Sequence, residues 1–224
     1  MGVNSTAVVL AQNVGTVQTV VARSVMLTDN SFWVYYLSHT EPTFLEEAGN
    51  GQQAQRDNSL KYVKSWRNAL DIGANVGEWA RPLAKRFDKV ICFEPNPNFR
   101  ECFEKNISEH NVVLWPYGLS DTEHKASQQY NSTVLSREAG DIDCRTLDSF
   151  GLTNIDFMKI DVDGFELPLL MGAKETLTRN NPVVNIEMKR DKRRSVTEKC
   201  DAILKDLGYQ FQKRTKSDEI WIKS

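Results

Sequence analysis

The 224-residue chain has no surplus of charge of either sign, no long apolar run and few of the side chains that build metal centres. Its 28 basic and 30 acidic residues leave a formal net charge of −2, so there is no overall positive field to hold a nucleic-acid backbone. No stretch approaches the ~20 apolar residues of a membrane span, and the N-terminus lacks the basic start and apolar block of a signal peptide. Four cysteines, at 92, 102, 144 and 200, form no C-x-x-C pair and have no histidines at zinc-finger spacing. They read as reduced thiols of a cytoplasmic protein rather than as a disulfide framework. Of the three histidines, His39 and His110 fall in surface or linker stretches and His124 in a polar one. These absences leave a soluble protein whose expected partner is a small molecule, with neither nucleic acid nor a membrane span.

Its length suits one α/β domain with an extension, since domains of ~100–200 residues are usual. Residues 1–60 mix small apolar and polar residues and pass into a Gly/Gln-rich stretch around 49–55. They read as a short strand or two and a linker, placed as a cap, a lid or an oligomer contact. From about residue 66 the pattern becomes regular. Strand-like runs at 70–72, 90–94 and 112–115 alternate with helix-length segments at 78–87 and 98–107, which implies βαβ units and a parallel sheet. A short helix at 147–151, a strand at 155–161, a helix at 167–180, a strand at 183–187 and a helix at 196–207 continue the alternation. The pairs at 209–211 and 220–222 close it as an antiparallel hairpin. The layout is a doubly wound, mostly parallel α/β sheet, with residues 61–224 as its domain.

In such sheets ligands bind outside the carboxyl ends of the strands. Here those ends are acidic: Asp71, Glu94, Asp161 with Asp163, and Glu187. Asp71-Ile-Gly-Ala-Asn-Val-Gly77 follows the first strand, and its two glycines let the backbone pass close to a ligand. Glu94 ends the next strand, where an acid commonly takes the two hydroxyls of a ribose. A dinucleotide site needs G-x-G-x-x-G with amides facing a pyrophosphate, whereas this loop has only Gly73 and Gly77 with Asp71 ahead of them. A carboxylate there repels a pyrophosphate but suits the ammonium and sulfonium of S-adenosylmethionine, so an NAD-dependent oxidoreductase is disfavoured.

These blocks resemble the FkbM-type methyltransferases of the S-adenosylmethionine-dependent Rossmann-like class. The matching stretches are Asp71-Ile-Gly-Ala-Asn-Val-Gly-Glu-Trp79, Phe93-Glu-Pro-Asn96, Gly118-Leu-Ser-Asp121, Arg145-Thr-Leu-Asp148, Lys159-Ile-Asp-Val-Asp-Gly-Phe-Glu166 and Val184-Asn-Ile-Glu187, spanning about 66–190. Asp163 stands where such sequences more often carry Glu. The resemblance implies a seven-stranded Rossmann-like sheet and O-methylation, commonly of a sugar hydroxyl in a glycan or glycosylated small molecule. It implies that Asp71, Gly73, Ala74, Asn75 and Gly77 cradle the methionine part of the cofactor and that Glu94 and Pro95 take the ribose. Asn96 and the Gly118, Leu119, Ser120 loop would then flank the adenine, and Asp161 would face the reacting methyl group.

Methyl transfer is a direct displacement, and a sugar hydroxyl needs a base, or a metal that lowers its pKa, when it attacks. Asp161 and Glu187 are the expected catalytic groups, with Asp163 beside them and Lys159 adjusting their charge. Glu166 reads equally as a helix-start residue favoured by the dipole. A divalent cation among these carboxylates is the less favoured reading, with no ligand set assigned. Trp79 and Trp115 read as packing residues rather than stacking platforms. Lys189-Arg-Asp-Lys-Arg-Arg194 reads as a solvated charged turn before an anion-binding one. The alternatives are a methyltransferase acting on protein, lipid or RNA, and a non-catalytic nucleoside-binding scaffold.

Overall fold

The computed structural model of the chain describes residues 24–27, 33–36, 51–128, 135–136 and 140–223. Most of the extension 1–60 lies outside these residues. Within it, β1 (Ser24–Leu27) and β2 (Trp33–Tyr36) pair antiparallel, and Gln53–Leu60 forms α1. The Gly/Gln-rich stretch read as a linker therefore becomes helical from Gln53 on. Nothing in that stretch breaks a helix after Gly51, and Leu60 has the sheet's core to pack on.

The main elements follow as β3 (Asn68–Ile72), α2 (Ala80–Ala84), β4 (Lys89–Phe93), α3 (Pro97–Asn106) and β5 (Val112–Trp115). Next come β6 (Gly118–Leu119), β7 (His124–Gln128), β8 (Leu135–Ser136), β9 (Ile142–Arg145) and a 3₁₀ turn at Asp148–Phe150. The chain ends with β10 (Ile155–Ile160), α4 (Glu166–Met171), α5 (Lys174–Asn180), β11 (Val183–Glu187), α6 (Arg190–Asp206), β12 (Tyr209–Thr215) and β13 (Asp218–Lys223). The seven-stranded sheet runs β12-β13-β11-β10-β3-β4-β5, with β13 antiparallel to both its neighbours and the other pairings parallel. This is the Rossmann-like α/β arrangement the sequence implies, its terminal hairpin inserted at the edge.

The central strands are apolar on both faces, as helix-covered parallel strands must be. Leu70, Ile72, Met158, Ile160, Val184 and Ile186 pack on one side with Leu169, Leu170, Leu177 and Leu204. Ala69, Val90, Phe157, Val183 and Ile220 pack on the other with Leu60, Leu83 and Phe103. Each such Leu, Ile or Phe taken fully from water contributes about 1.5–3 kcal/mol. The two-residue period then places Asp71, Lys159, Asn185, Glu187 and Asp218 on the second face, next to its apolar residues but at the carboxyl ends of the parallel strands.

Four local expectations change. The helix read over 167–180 breaks into α4 and α5 at Gly172, where an added Cβ would lie 2.1 Å from the Ser120 carbonyl oxygen. Close approach of the Ser120 turn is what the glycine permits. The segment at 78–87 is helical only over Ala80–Ala84. The stretch from Gly118 read as a loop begins as a strand, β6, at the edge of a second small sheet ordered β6-β9-β7-β8. The charged run 189–194 forms the start of α6, kinked at Arg193 (φ −139°, ψ 41°).

Candidate active site

The turn after β3 shapes the first half of the site. Gly73 and Ala74 both donate to the Phe93 carbonyl, at 2.9 and 3.0 Å, folding the chain back over the end of β4. Gly73 has φ +80°, and a Cβ there would meet the Asp161 carbonyl oxygen at 1.8 Å, so the position admits only glycine. Asn75 also takes a left-handed backbone, φ 49°. Asp71 lies just beneath, 1% exposed, with Oδ2 lacking a hydrogen-bond partner among the described residues. Burial pushes its carboxyl up to about 7. Glu94 is buried at the end of β4, its Oε2 accepting from Asn75 N (2.9 Å) and its Oε1 from Asn96 N (2.8 Å). Burial outweighs those bonds and pushes it up to about 7 as well.

A cavity of about 260 Å³ opens from this turn. Asp71, Gly73, Ala74, Asn75, Glu94, Pro95, Gly118 and Leu119 all line it, as do Lys159, Asp161, Asp163 and Glu187. Three expected cofactor residues do not. Gly77 (φ +97°) instead faces Ile107 and Phe103, Asn96 caps α3 by accepting from Asn98 N, and Ser120 is buried with its amide on the Arg145 carbonyl. These residues shape the turns that carry their neighbours. Buried Glu94 and the carboxylate-backed glycine turn form the donor and acceptor set a nucleoside with an ammonium group requires, and the orphaned Asp71 oxygen fits such a group.

At the far end, Asp161, Asp163 and Glu187 each bring a carboxylate oxygen within 4.8 Å of the others, a hard-ligand set for a divalent cation. Lys189 already lies there, paired to Asp163 and, at 2.9 Å, to Glu187 Oε2. Burial opposes the charge on Lys189, but Asp163 and Glu187 outweigh it and hold the ammonium above its usual range. Burial, reinforced by the charge of Asp161, pushes Glu187 up to about 7. Lys159 is 1% exposed and bonds Asp161 Oδ2 and Asp218 Oδ1, each at 3.1 Å. Glu166 lies off the cavity, accepting from Gly164 N at 2.8 Å.

Sequence reasoning missed several neighbours. Trp79 packs on Phe157, as a packing residue should, yet it also lines the cavity, receives Lys159 over its ring at 5.1 Å and donates to Gln52 Oε1 at 2.6 Å. Lys189 and Gln52 line the cavity too, and Asp218 anchors Lys159 from β13. Trp79 and Lys189 lie in stretches that the sequence marks but that read there as packing and as a solvated turn, whereas no local motif marks Gln52 or Asp218, which tertiary contacts bring in. The basic run is solvated only in part: Lys192 and Arg194 are exposed, whereas Arg190 pairs with Glu219 and Asp201 and Arg193 lies 3.9 Å from Glu166.

A family model described as the Methyltransferase FkbM domain matches residues 71–211, more than half of the chain. No curated protein matches the sequence. Among solved structures, the chain is similar to the methyltransferase FkbM from Methylobacillus flagellatus KT, at 18% identity and a TM-score of 0.55, over 72% of this chain and 45% of that one. The chain thus spans less than half the length of that protein. It is also similar to a precorrin-6y C5,15-methyltransferase from Geobacter metallireducens GS-15 (16% identity, TM-score 0.53, 88% and 96% covered). An rRNA methylase from Streptococcus thermophilus shares the fold at 13% identity and a TM-score of 0.51, over 84% and 99% of the two chains.

Proposed function

The chain belongs to the methyltransferase FkbM family, and from that premise we propose that it is an S-adenosylmethionine-dependent O-methyltransferase acting on a sugar hydroxyl of a glycan or glycosylated small molecule. The observation that carries this reading is one continuous cavity joining the Asp71 and Glu94 turn to the Asp161, Asp163 and Glu187 carboxylates. Asp71, Gly73, Ala74 and Asn75 hold the methionine part, Glu94 and Pro95 the ribose, and Gly118 and Leu119 flank the adenine. When bound, the cofactor supplies an electrophilic methyl group on a sulfonium.

The protein's own groups then position the acceptor and move its proton. Glu187, with a proton affinity near neutrality, is poised to accept the hydroxyl proton, since a base works best near the operating pH. Asp161 faces the reacting centre, held by Lys159. Lys189 holds Asp163 and Glu187 in place by pairing with both. The cations of the 189–194 run that face inward are matched by carboxylates, which supports a neutral hydroxyl acceptor over RNA. No helix among the described residues is long and apolar enough to cross a membrane, and the four cysteines are buried and unbonded; these features support a cytoplasmic protein. Gln52 on the cavity wall supports a role for the 1–60 extension as a cap over the domain from 61 on.

The test is transfer of labelled methyl from S-adenosylmethionine to a panel of free and glycosidically linked sugars. Label recovered as a sugar methyl ether, with turnover unchanged by a chelator, is the expected result. Label on RNA, on protein or on nothing would contradict the acceptor assignment.

A further inference from the structure

One ammonium serves two carboxylates inside the sheet. Lys159 Nζ sits 3.1 Å from Asp161 Oδ2 and 3.1 Å from Asp218 Oδ1. Lys159 and Asp218 are 1% and 2% exposed, whereas Asp161 is 22% exposed and lines the cavity. Asp218 is supported further inward: the Asn185 amide favours its charged form, and Asn185 Nδ2 donates to Ser59 Oγ at 2.7 Å. Ser59 in turn donates to the Gln55 carbonyl at 2.7 Å. A chain of polar contacts thus runs from α1 of the extension, across β11 and β13, to the carboxylate at the end of β10.

Two carboxylates sharing one ammonium leave a net charge of −1. A negative charge on Asp218 has no water to solvate it, so it draws on Lys159 and Asn185. The uncompensated charge falls on Asp161, which alone of the two carboxylates opens to the cavity. We infer that Asp218 is a positioning residue that, by sharing the Lys159 ammonium, keeps Asp161 fixed and negatively charged toward the cationic sulfonium of the donor. Neither the glycine turn nor the acidic strand ends identify Asp218, and its effect passes through Lys159. Without the Asp218 charge, Lys159 is left to Asp161 and to the neighbouring carboxyls of Asp71 and Glu187, the negative charge at the cavity falls, and with it the preference of the site for a cationic ligand.

This inference rests on the cofactor reading above, and its test needs no acceptor. S-adenosylmethionine carries the sulfonium charge and S-adenosylhomocysteine lacks it, so the ratio of their affinities reports the field at the methyl group. In calorimetric titrations, Asp218→Asn is expected to lower that ratio about five- to tenfold, by weakening the charged ligand and sparing the neutral one. Asp218→Glu keeps the charge and restores the ratio. Where Asn at this position prevents folding, the smaller Asp218→Ser makes the same test. A role confined to stability lowers both affinities together and leaves the ratio unmoved, which overturns the inference. Wild-type protein that binds neither nucleoside overturns the cofactor reading and this inference with it.

Discussion

Three carboxyl groups, Asp71, Glu94 and Glu187, are pushed up to about 7 chiefly by burial. In an unfolded chain the same groups titrate near ~4. A folded-state pKa above the unfolded one means that the folded protein holds extra protons, so their stabilisation is complete below about pH 4 and is lost as pH rises toward 7. The ligand-free protein is therefore expected to lose thermal stability between about pH 4 and pH 7, opposite to the rise that salt-bridged carboxylates produce. Glu94→Gln should flatten part of that slope, and a melting series over this range checks it. Catalysis separates the same residues. Glu94→Ala should weaken cofactor binding, whereas Glu187→Gln should lower kcat about 10²-fold or more with the cofactor still bound. Equilibrium binding and single-turnover rates on the two variants distinguish these outcomes.

At the scale of elements, the strands at 70–72, 90–94 and 183–187 were legible because parallel strands buried on both faces read as apolar runs ending in a polar residue. Glu94, Asp161 and Glu187 are visible for the same reason, each being the acid that stops such a run, and Asp71 is visible as the one acid inside a run, just ahead of the glycine turn. Tertiary contacts hid the rest. The break at Gly172 depends on the Ser120 turn pressing against it, and the start of α6 depends on carboxylates from other elements. Arg190 is the clearest case, since it pairs with Asp201 on its own helix and with Glu219 on β13. Glu219 is 1% exposed, so Arg190→Ala leaves that buried charge with only Arg214, 3.9 Å away, and should cost about 2–3 kcal/mol. Denaturant unfolding measures the loss, and hydrogen exchange should show it concentrated in the β12–β13 hairpin. Gly73→Ala acts on a different element pair. Its Cβ would overlap the Asp161 carbonyl, so the turn must move off β10, and cofactor affinity is expected to fall by more than tenfold while the far hairpin keeps its protection.

For the whole molecule, the sheet order decides where the cavity forms. β3, with β4 on one side and the central β10 on the other, brings the glycine turn and the Asp161 end of β10 to adjacent strand ends. The glycine at 73 closes the gap between them. β11 and the inserted β13 then complete the second half of the site with Glu187 and Asp218, an arrangement only the pairing Glu187↔Asp218 reveals. α1 of the extension reaches the same face through Ser59 and Asn185. The central claim is that this assembled cavity accepts a sulfur-bearing adenine nucleoside rather than a dinucleotide. Calorimetric titration of the purified protein with S-adenosylmethionine, S-adenosylhomocysteine and NAD in parallel tests it most directly. Saturable binding of the two sulfur nucleosides, with none of NAD, is the expected result, and binding of NAD alone would contradict the account.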